Sequence, residues 1–328
     1  MKFGARFTDF TGDLKMIVSL AVAAEKAGFD FVWNSHDPFM KCTWATTAVI
    51  ARETSRVMIG SLGTTPYLTD PSEVAAYVAT LDELSGGRAV LGFGIHTSKM
   101  VEWVGHDASD YLRRTREATE IIRALLRGEV VARDSENFHW NEQCYLRFKP
   151  VRAEAPIYIC PFGDDFMKLG GEIGDGVAPM ITPPESAGDV VRLIRDGAML
   201  NSRDVDIAGC AWLSIDEDSA AAKDKMRDLV AYFGPYLEER ALAKIGVSSE
   251  DFAAIRKLVA AKDYKGAAAA VTDDMLRLAL AGDAKSVIRQ IEDLAAAGVT
   301  QVNLGGPFGP DAAKAIALMG ERVIPHFC

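Results

Sequence analysis

The sequence predicts a (β/α)8 barrel, and three observations carry that prediction. Eight short apolar runs alternate with helical segments along the 328 residues. The runs are nearly continuous in apolar residues, as parallel strands buried on both faces require. A helix–glycine–strand unit recurs as LAVAAEKAGFDFVWNS, MKLGGEIGDGVAPMI and IRQIEDLAAAGVTQVNLGG, with Gly28, Gly174 and Gly298 suited to the left-handed turn that ends a helix. A doubly wound open sheet is the alternative, but no glycine-rich dinucleotide loop follows the first strand.

The elements follow in order. Strand one is Lys2–Phe7, and an Ala/Leu-rich helix starts near Leu14 and stops at Gly28. Strand two is Phe29–Ser35, followed by helix Thr43–Thr54. Strand three is Val57–Gly63, followed by helix Pro71–Leu84. Strand four is Ala89–Ile95, and helix Asp110–Leu126 follows it. Strands five to eight are Ile157–Phe162, Gly176–Ile181, Ile207–Ile215 and Val299–Leu304. Two stretches exceed a plain barrel. Residues 128–155 alternate like a hairpin around a polar turn, and residues 217–283 are Ala-rich and helical, too long for one crossover. No Ser/Gly-rich linker divides the chain, which reads as one domain over 1–328 with these two insertions.

Apolar residues make up 49% and charged residues 25%, the balance of a folded globular chain rather than a disordered or collagen-like one. The net charge of −10 opposes nucleic acid and anionic membrane over most of the surface. Cys42, Cys144, Cys160, Cys210 and Cys328 form no CxxC pair, which reads as reduced thiols of a cytoplasmic protein. No apolar leader segment is read in MKFGARFTDF, and no apolar stretch approaches the 18 or so residues of a membrane span.

In a barrel, chemistry collects at the C-terminal ends of the strands. The second end, WNSHDPF, sets His36 beside Asp37. His36 could shuttle a proton near neutral pH with Asp37 orienting it, or merely cap the next helix. The third end, GSLGTTPY, holds glycines that allow a flat ligand close to the backbone or simply serve a turn before Pro66. The fourth, GFGIHTSK, offers Gly94, His96 and Thr97, and is not a GxGxxG loop. At the fifth, ICPFGDDFMKLGG, a helix starts near Asp164. Its free N–H groups suit a phosphate, while Asp164 and Asp165 suit a cap. No metal motif, GxSxG elbow or Walker loop appears, and Cys160 has no evident base, so it reads as a buried thiol.

These motifs together resemble the bacterial luciferase-like superfamily. The resemblance runs nearly end to end, through MKFGARF, AEKAGFDFVW, TTPYLTDPSEVAAYVATLDELSGGRAVLGFG, TREATEIIRALLRGE, PIYICPFG, GEIGDGV and the closing AGVTQVNLGGPFGPD. Within it the chain looks most like the methylenetetrahydromethanopterin reductases that use the deazaflavin coenzyme F420. The resemblance implies a (β/α)8 barrel with a ring cofactor over the strand ends and a non-prolyl cis peptide at Leu62–Gly63 or the bond beside it. Leu62, Gly63, Thr64, Gly94, His96, Cys160, Phe162, Gly163 and Asp164 would then surround the cofactor, its phosphate at Gly163–Asp164. Hydride transfer to or from an organic substrate is the implied reaction, with His36, Asp37 and Arg6 as its residues.

Two positions depart from the reductase pattern. Arg6 stands where those enzymes carry a glutamate acid, and Ser35-His36-Asp37 replaces the usual Asp-His order. An arginine there suits an anionic substrate or intermediate. An FMN-dependent monooxygenase and a flavin-binding barrel without turnover are the alternatives. The resemblance also implies a homodimer, with 217–283 offering extra apolar helix surface. Asp9, Trp44, Tyr67, Trp140 and Tyr145 are further candidates for substrate contact.

Overall fold

The computed structural model describes residues 1–95, 98–237 and 239–328. The strands and helices alternate as a (β/α)8 barrel does: β1 (Lys2–Phe7), α1 (Leu14–Lys26), β2 (Phe31–Ser35), α2 (Thr43–Glu53), β3 (Met58–Thr64), α3 (Pro71–Ser85), β4 (Ala89–Gly94), α4 (Ser98–Trp103) and α5 (Tyr111–Leu126). The short pair β5 (Arg133–Asp134) and β6 (His139–Trp140) is the antiparallel hairpin expected in 128–155. Then come β7 (Ile157–Cys160), α6 (Asp164–Ile173), β8 (Gly176–Val177), α7 (Pro184–Met199) and β9 (Asp206–Ile215). The second insertion holds α8 (Ser219–Phe233), α9 (Glu239–Lys244), α10 (Ala253–Ala260), α11 (Tyr264–Ala269) and α12 (Asp273–Leu276). The chain closes with β10 (Ala279–Gly282), α13 (Ala284–Ala297), β11 (Gln301–Phe308) and α14 (Ala312–Leu318).

Two compact units emerge from the contacts. One comprises 1–30, 179–192 and 207–328. Its strands run parallel in the order β10, β9, β11, β1. The other comprises 31–178 and 193–206, with β2, β3, β4, β7 and β8 parallel in that order. Nearly every strand residue is buried, as the continuous apolar runs predicted.

Local chemistry explains the boundaries. Asp13, Asp70, Asp218 and Asp283 each cap a helix by accepting from backbone N–H groups of the first turn. Gly86 and Gly298 end α3 and α13 in the left-handed conformation. Gly174 does not: it is extended, at φ −82°, and a Cβ there would lie 2.6 Å from Gly176 O, so glycine serves close packing.

The segment LDELSGGRAVLGFG acts as a joint. Asp82, almost fully buried, accepts from Ala89 N at 3.0 Å and from both Nε and Nη2 of Arg152, at 2.8 and 2.5 Å. Arg88 donates to the carbonyls of Ala51, Thr54, Val57 and Ser85, tying the end of α2 and the start of β3 to β4. Gly60 and Gly92 let β3 and β4 press together, since a Cβ on Gly60 would sit 1.9 Å from Val90 O and one on Gly92 2.6 Å from Ser61 O.

One expectation is corrected here. The stretch 217–283 is not wholly helical, because Ala279–Gly282 pairs with β9 as β10. Many of its apolar residues turn inward, while Tyr232, Tyr236 and Tyr264 stay exposed. Met226, Val230, Leu242, Val247, Phe252 and Ile255 turn inward on Trp212 and Ala279 as a core of their own.

Candidate functional site

The strand ends of the second unit hold most of the expected residues. At the end of β2, the His36 N–H donates to Leu62 O at 3.0 Å, pinning this exit to β3. Asn34 Nδ2 and Thr43 Oγ1 both donate to Ser35 O, at 3.2 and 2.6 Å, clamping β2 to the first turn of α2. The His36 ring lies beside Trp44, which stacks on Tyr77 with centroids 4.6 Å apart. Nδ1 of His36 is buried with no hydrogen-bond partner. Burial holds the ring's pKa below the ordinary histidine value, so His36 is neutral at pH 7.

β3 leaves through a bulge. Ser61 faces Leu91 and Thr64 faces Phe93, so three steps on β3 match two on β4. Gly63 takes φ +92° within it, and Thr64 Oγ1 donates to Ser61 Oγ at 2.8 Å. The expected non-prolyl cis bond is absent: Leu62–Gly63 and its neighbours are trans, and the cis bond among the described residues is Gly306–Pro307. The left-handed glycine supplies the bend instead. Leu62, Gly63 and Thr64 are all buried.

At the end of β4, Gly94 (φ +135°) abuts β7, where a Cβ would meet Cys160 O at 2.8 Å. His96 and Thr97 lie outside the described residues. Cys160 is buried, as the reading of an inert thiol expected. Phe162, Phe166 and Tyr111 form an aromatic group, with centroids 4.9 to 5.9 Å apart. Gly163 is the N-cap of α6, at φ +70° and ψ +165°, and makes no side-chain cap hydrogen bond. Asp164 and Asp165 sit inside the first turn, not at the cap. α6 is thus a ten-residue helix that starts from a glycine, with its first-turn N–H groups beside Asp164 and Asp165.

Sequence reasoning missed the groups behind Tyr67. The Tyr67 hydroxyl donates in a very short hydrogen bond to Asp110 Oδ1, and Arg114 bonds the same carboxylate through Nε at 3.2 Å. The Arg114 guanidinium lies 4.8 Å over the Tyr67 ring. Burial, then Asp110, push the phenol far above its ordinary range, so Tyr67 holds its proton. Phe39 was also missed; it is 84% exposed and adopts φ +67°, an uncommon conformation for a bulky residue. The composition of DASDYLRRTRE, an aromatic between acids and arginines, was the available signal for the first. Trp140 and Tyr145 instead line a cavity of about 350 Å³ with Asp70 and Ser72.

Arg6 belongs to the first unit, at the end of β1. Its guanidinium lies over Gly305, the residue opposite it on β11. A Cβ on Gly305 would be 2.6 Å from Arg6 Nη2. Among the described residues no metal-binding cluster occurs, and no helix is long and apolar enough to cross a membrane.

Known proteins resemble this chain along its whole length. The family model for luciferase-like monooxygenase matches residues 2–301. A 5,10-methylenetetrahydromethanopterin reductase of Archaeoglobus fulgidus is 34% identical over 336 residues, covering 99% of each chain. The reductase of the same name from Methanolobus tindarius is 32% identical, over 99% of this chain and all of its own. The solved coenzyme F420-dependent tetrahydromethanopterin reductase of Methanopyrus kandleri superposes with a TM-score of 0.94 over 100% of this chain and 99% of its own, at 29% identity.

Proposed function

The chain belongs to the luciferase-like monooxygenase family, and from that premise we propose an oxidoreductase that transfers hydride between coenzyme F420 and an organic substrate. The observation that carries the cofactor reading is the end of β7, where a ten-residue helix follows a glycine cap; the bulged exit of β3 and the buried, unpartnered His36 Nδ1 belong to the same unit. These groups fit a ring cofactor with a phosphate on its tail. The N–H groups of α6 after Gly163 would hold the phosphate. The backbone at Leu62, Gly63 and Thr64, the Gly94 strand end and the Cys160–Phe162 wall, with Asp164 behind it, would hold the ring and its side chain. F420, when bound, supplies a hydride donor or acceptor, and the protein supplies orientation and exclusion of water.

His36 is the residue we assign to proton handling. A neutral imidazole with one unpartnered nitrogen can hold or give a proton at that atom. Asp37 and Arg6 complete the proposed reaction set, the first by charge near His36, the second as argued below. We take 1–328 as one working domain and the enzyme as a homodimer, with Val49, Tyr77 and Leu84 on α2 and α3 as exposed apolar candidates for its face.

The family's description favours a second reading, reduced FMN and molecular oxygen. Titrating the purified protein with F420 and with FMN, by ring fluorescence, separates the two. Tight F420 binding with hydride exchange is the expected result. FMN binding with oxygen consumption would replace it, and binding of neither would leave a barrel without turnover.

A further inference from the structure

Arg6 is a nearly fully buried cation, 7% exposed. Among the described residues, no carboxylate lies within ion-pair distance of it, and its Nε has no hydrogen-bond partner. A guanidinium out of water without a counter-charge is unfavourable unless something fills the role. Its neighbours are equally unfinished. Asn303, opposite Gly4 on β1 and Cys210 on β9, is fully buried; its Oδ1 has no hydrogen-bond partner, and its Nδ2 has only the weak acceptor of the Cys210 thiol to face. Thr182, whose N–H donates to Cys210 O at 2.7 Å, leaves its hydroxyl unpartnered too.

Buried polar groups are paired in nearly all folded proteins, so such a group of orphans points to a ligand. Register places them together. Arg6 lies opposite Gly305, and Asn303 is two residues before Gly305 on the same face of β11. Burial pushes the Cys210 thiol up to about 11, outweighing the Arg6 charge and a hydrogen bond from Asn303, both of which favour the thiolate. The thiol is therefore protonated at pH 7 and does not supply the missing anion.

We propose that Arg6 and Asn303 form a receptor for a carboxylate on the substrate, which deepens the hydride-transfer reading by naming its substrate class. One fork-shaped guanidinium with one neutral amide beside it offers a single positive charge. That matches one carboxylate, whereas a phosphate monoester carries nearly two charges. Arg6 stands at the C-terminal end of β1, the end of a barrel strand where substrates are met. The reacting carbon then belongs to an organic acid held by its carboxylate.

The test uses the full chain without cofactor. Thermal unfolding is followed with acetate, succinate, inorganic phosphate and the neutral acetamide, at constant ionic strength. The carboxylates should raise the Tm, by about 2 °C at ten times Kd, and acetamide should not. Arg6→Gln should weaken the response at least tenfold. Asn303→Asp, nearly isosteric, places a carboxylate beside Arg6 and should raise the ligand-free Tm while abolishing the acetate response. An unchanged response in both variants, or none in the wild type, overturns the proposal, and a response to phosphate alone overturns the carboxylate assignment. F420 titration of the same samples reads the hydride-transfer proposal separately, since the anion response requires no cofactor.

Discussion

Gly94→Ala tests whether the β4–β7 contact shapes the cofactor wall. The added Cβ would lie 2.8 Å from Cys160 O, 3.1 Å from Phe166 Cζ and 3.3 Å from Cys160 N. Two of these three atoms are backbone of a buried strand and cannot step aside as a flexible side-chain tip would. The residue also has φ +135°, which an alanine adopts with roughly 1–3 kcal/mol of strain. Overpacking a closed site adds roughly 1–3 kcal/mol more. The two together destabilise by about 4 kcal/mol. Unfolding entropy scales to roughly 0.7 kcal/mol/K for 328 residues, so the Tm should fall by about 6 °C. Gly163→Ala is the control. It too has positive φ, at +70°, but nothing lies within 4 Å of its added Cβ, so strain acts alone and the fall should be about half as large. Calorimetry gives both values. F420 affinity should fall for Gly94→Ala, because Cys160 and Phe166 must move. Equal Tm losses in the two variants would refute the packing argument.

Further outcomes follow from single contacts. Asp82→Ala strands the Ala89 N–H and the half-buried Arg152, and should lower stability by roughly 3 kcal/mol; a double-mutant cycle with Arg152→Ala reads the coupling. Because burial lowers the folded-state pKa of His36, the unfolded chain takes the proton first, and stability should fall as pH drops below about 6.5. His36→Gln should remove that dependence in pH-resolved unfolding and slow turnover by roughly 10²–10⁴. Ellman's reagent should modify exposed Cys42 and Cys328 quickly and leave buried Cys160 and Cys210 unmodified in the native protein.

The strands were legible because parallel barrel strands are buried on both faces, which writes a continuous apolar run into the sequence. Lys2–Phe7 came out with its bounds unchanged. Ala279–Gly282 did not, because four apolar residues in an alanine-rich setting look the same in a helix or a strand until β9 supplies hydrogen bonds. At the site, Gly163 and the start of α6 could be read from the strand–glycine–acid pattern, since a cap is a local device. The Tyr67–Asp110–Arg114 group could not, because Tyr67 and Asp110 are 43 residues apart and meet only through folding. The unpartnered state of Arg6 and Asn303 is invisible in a sequence for a like reason: it is a property of what surrounds them, not of what they are.

The bulge in β3 changes the phase of the strand. Side chains on a regular strand recur on one face every second residue, yet here Ser61 and Thr64, three apart, touch. Everything after Gly63 is therefore half a period out of step with everything before it. Thr64, Thr65 and Tyr67 point as they do because one extra residue was counted in. Deleting either Leu62 or Gly63 would restore strict alternation, turn the exit over, and carry Tyr67 away from Asp110. At this exit, chain length is as much a determinant of the site as residue identity, and a one-residue indel would act there as a frameshift acts on a message.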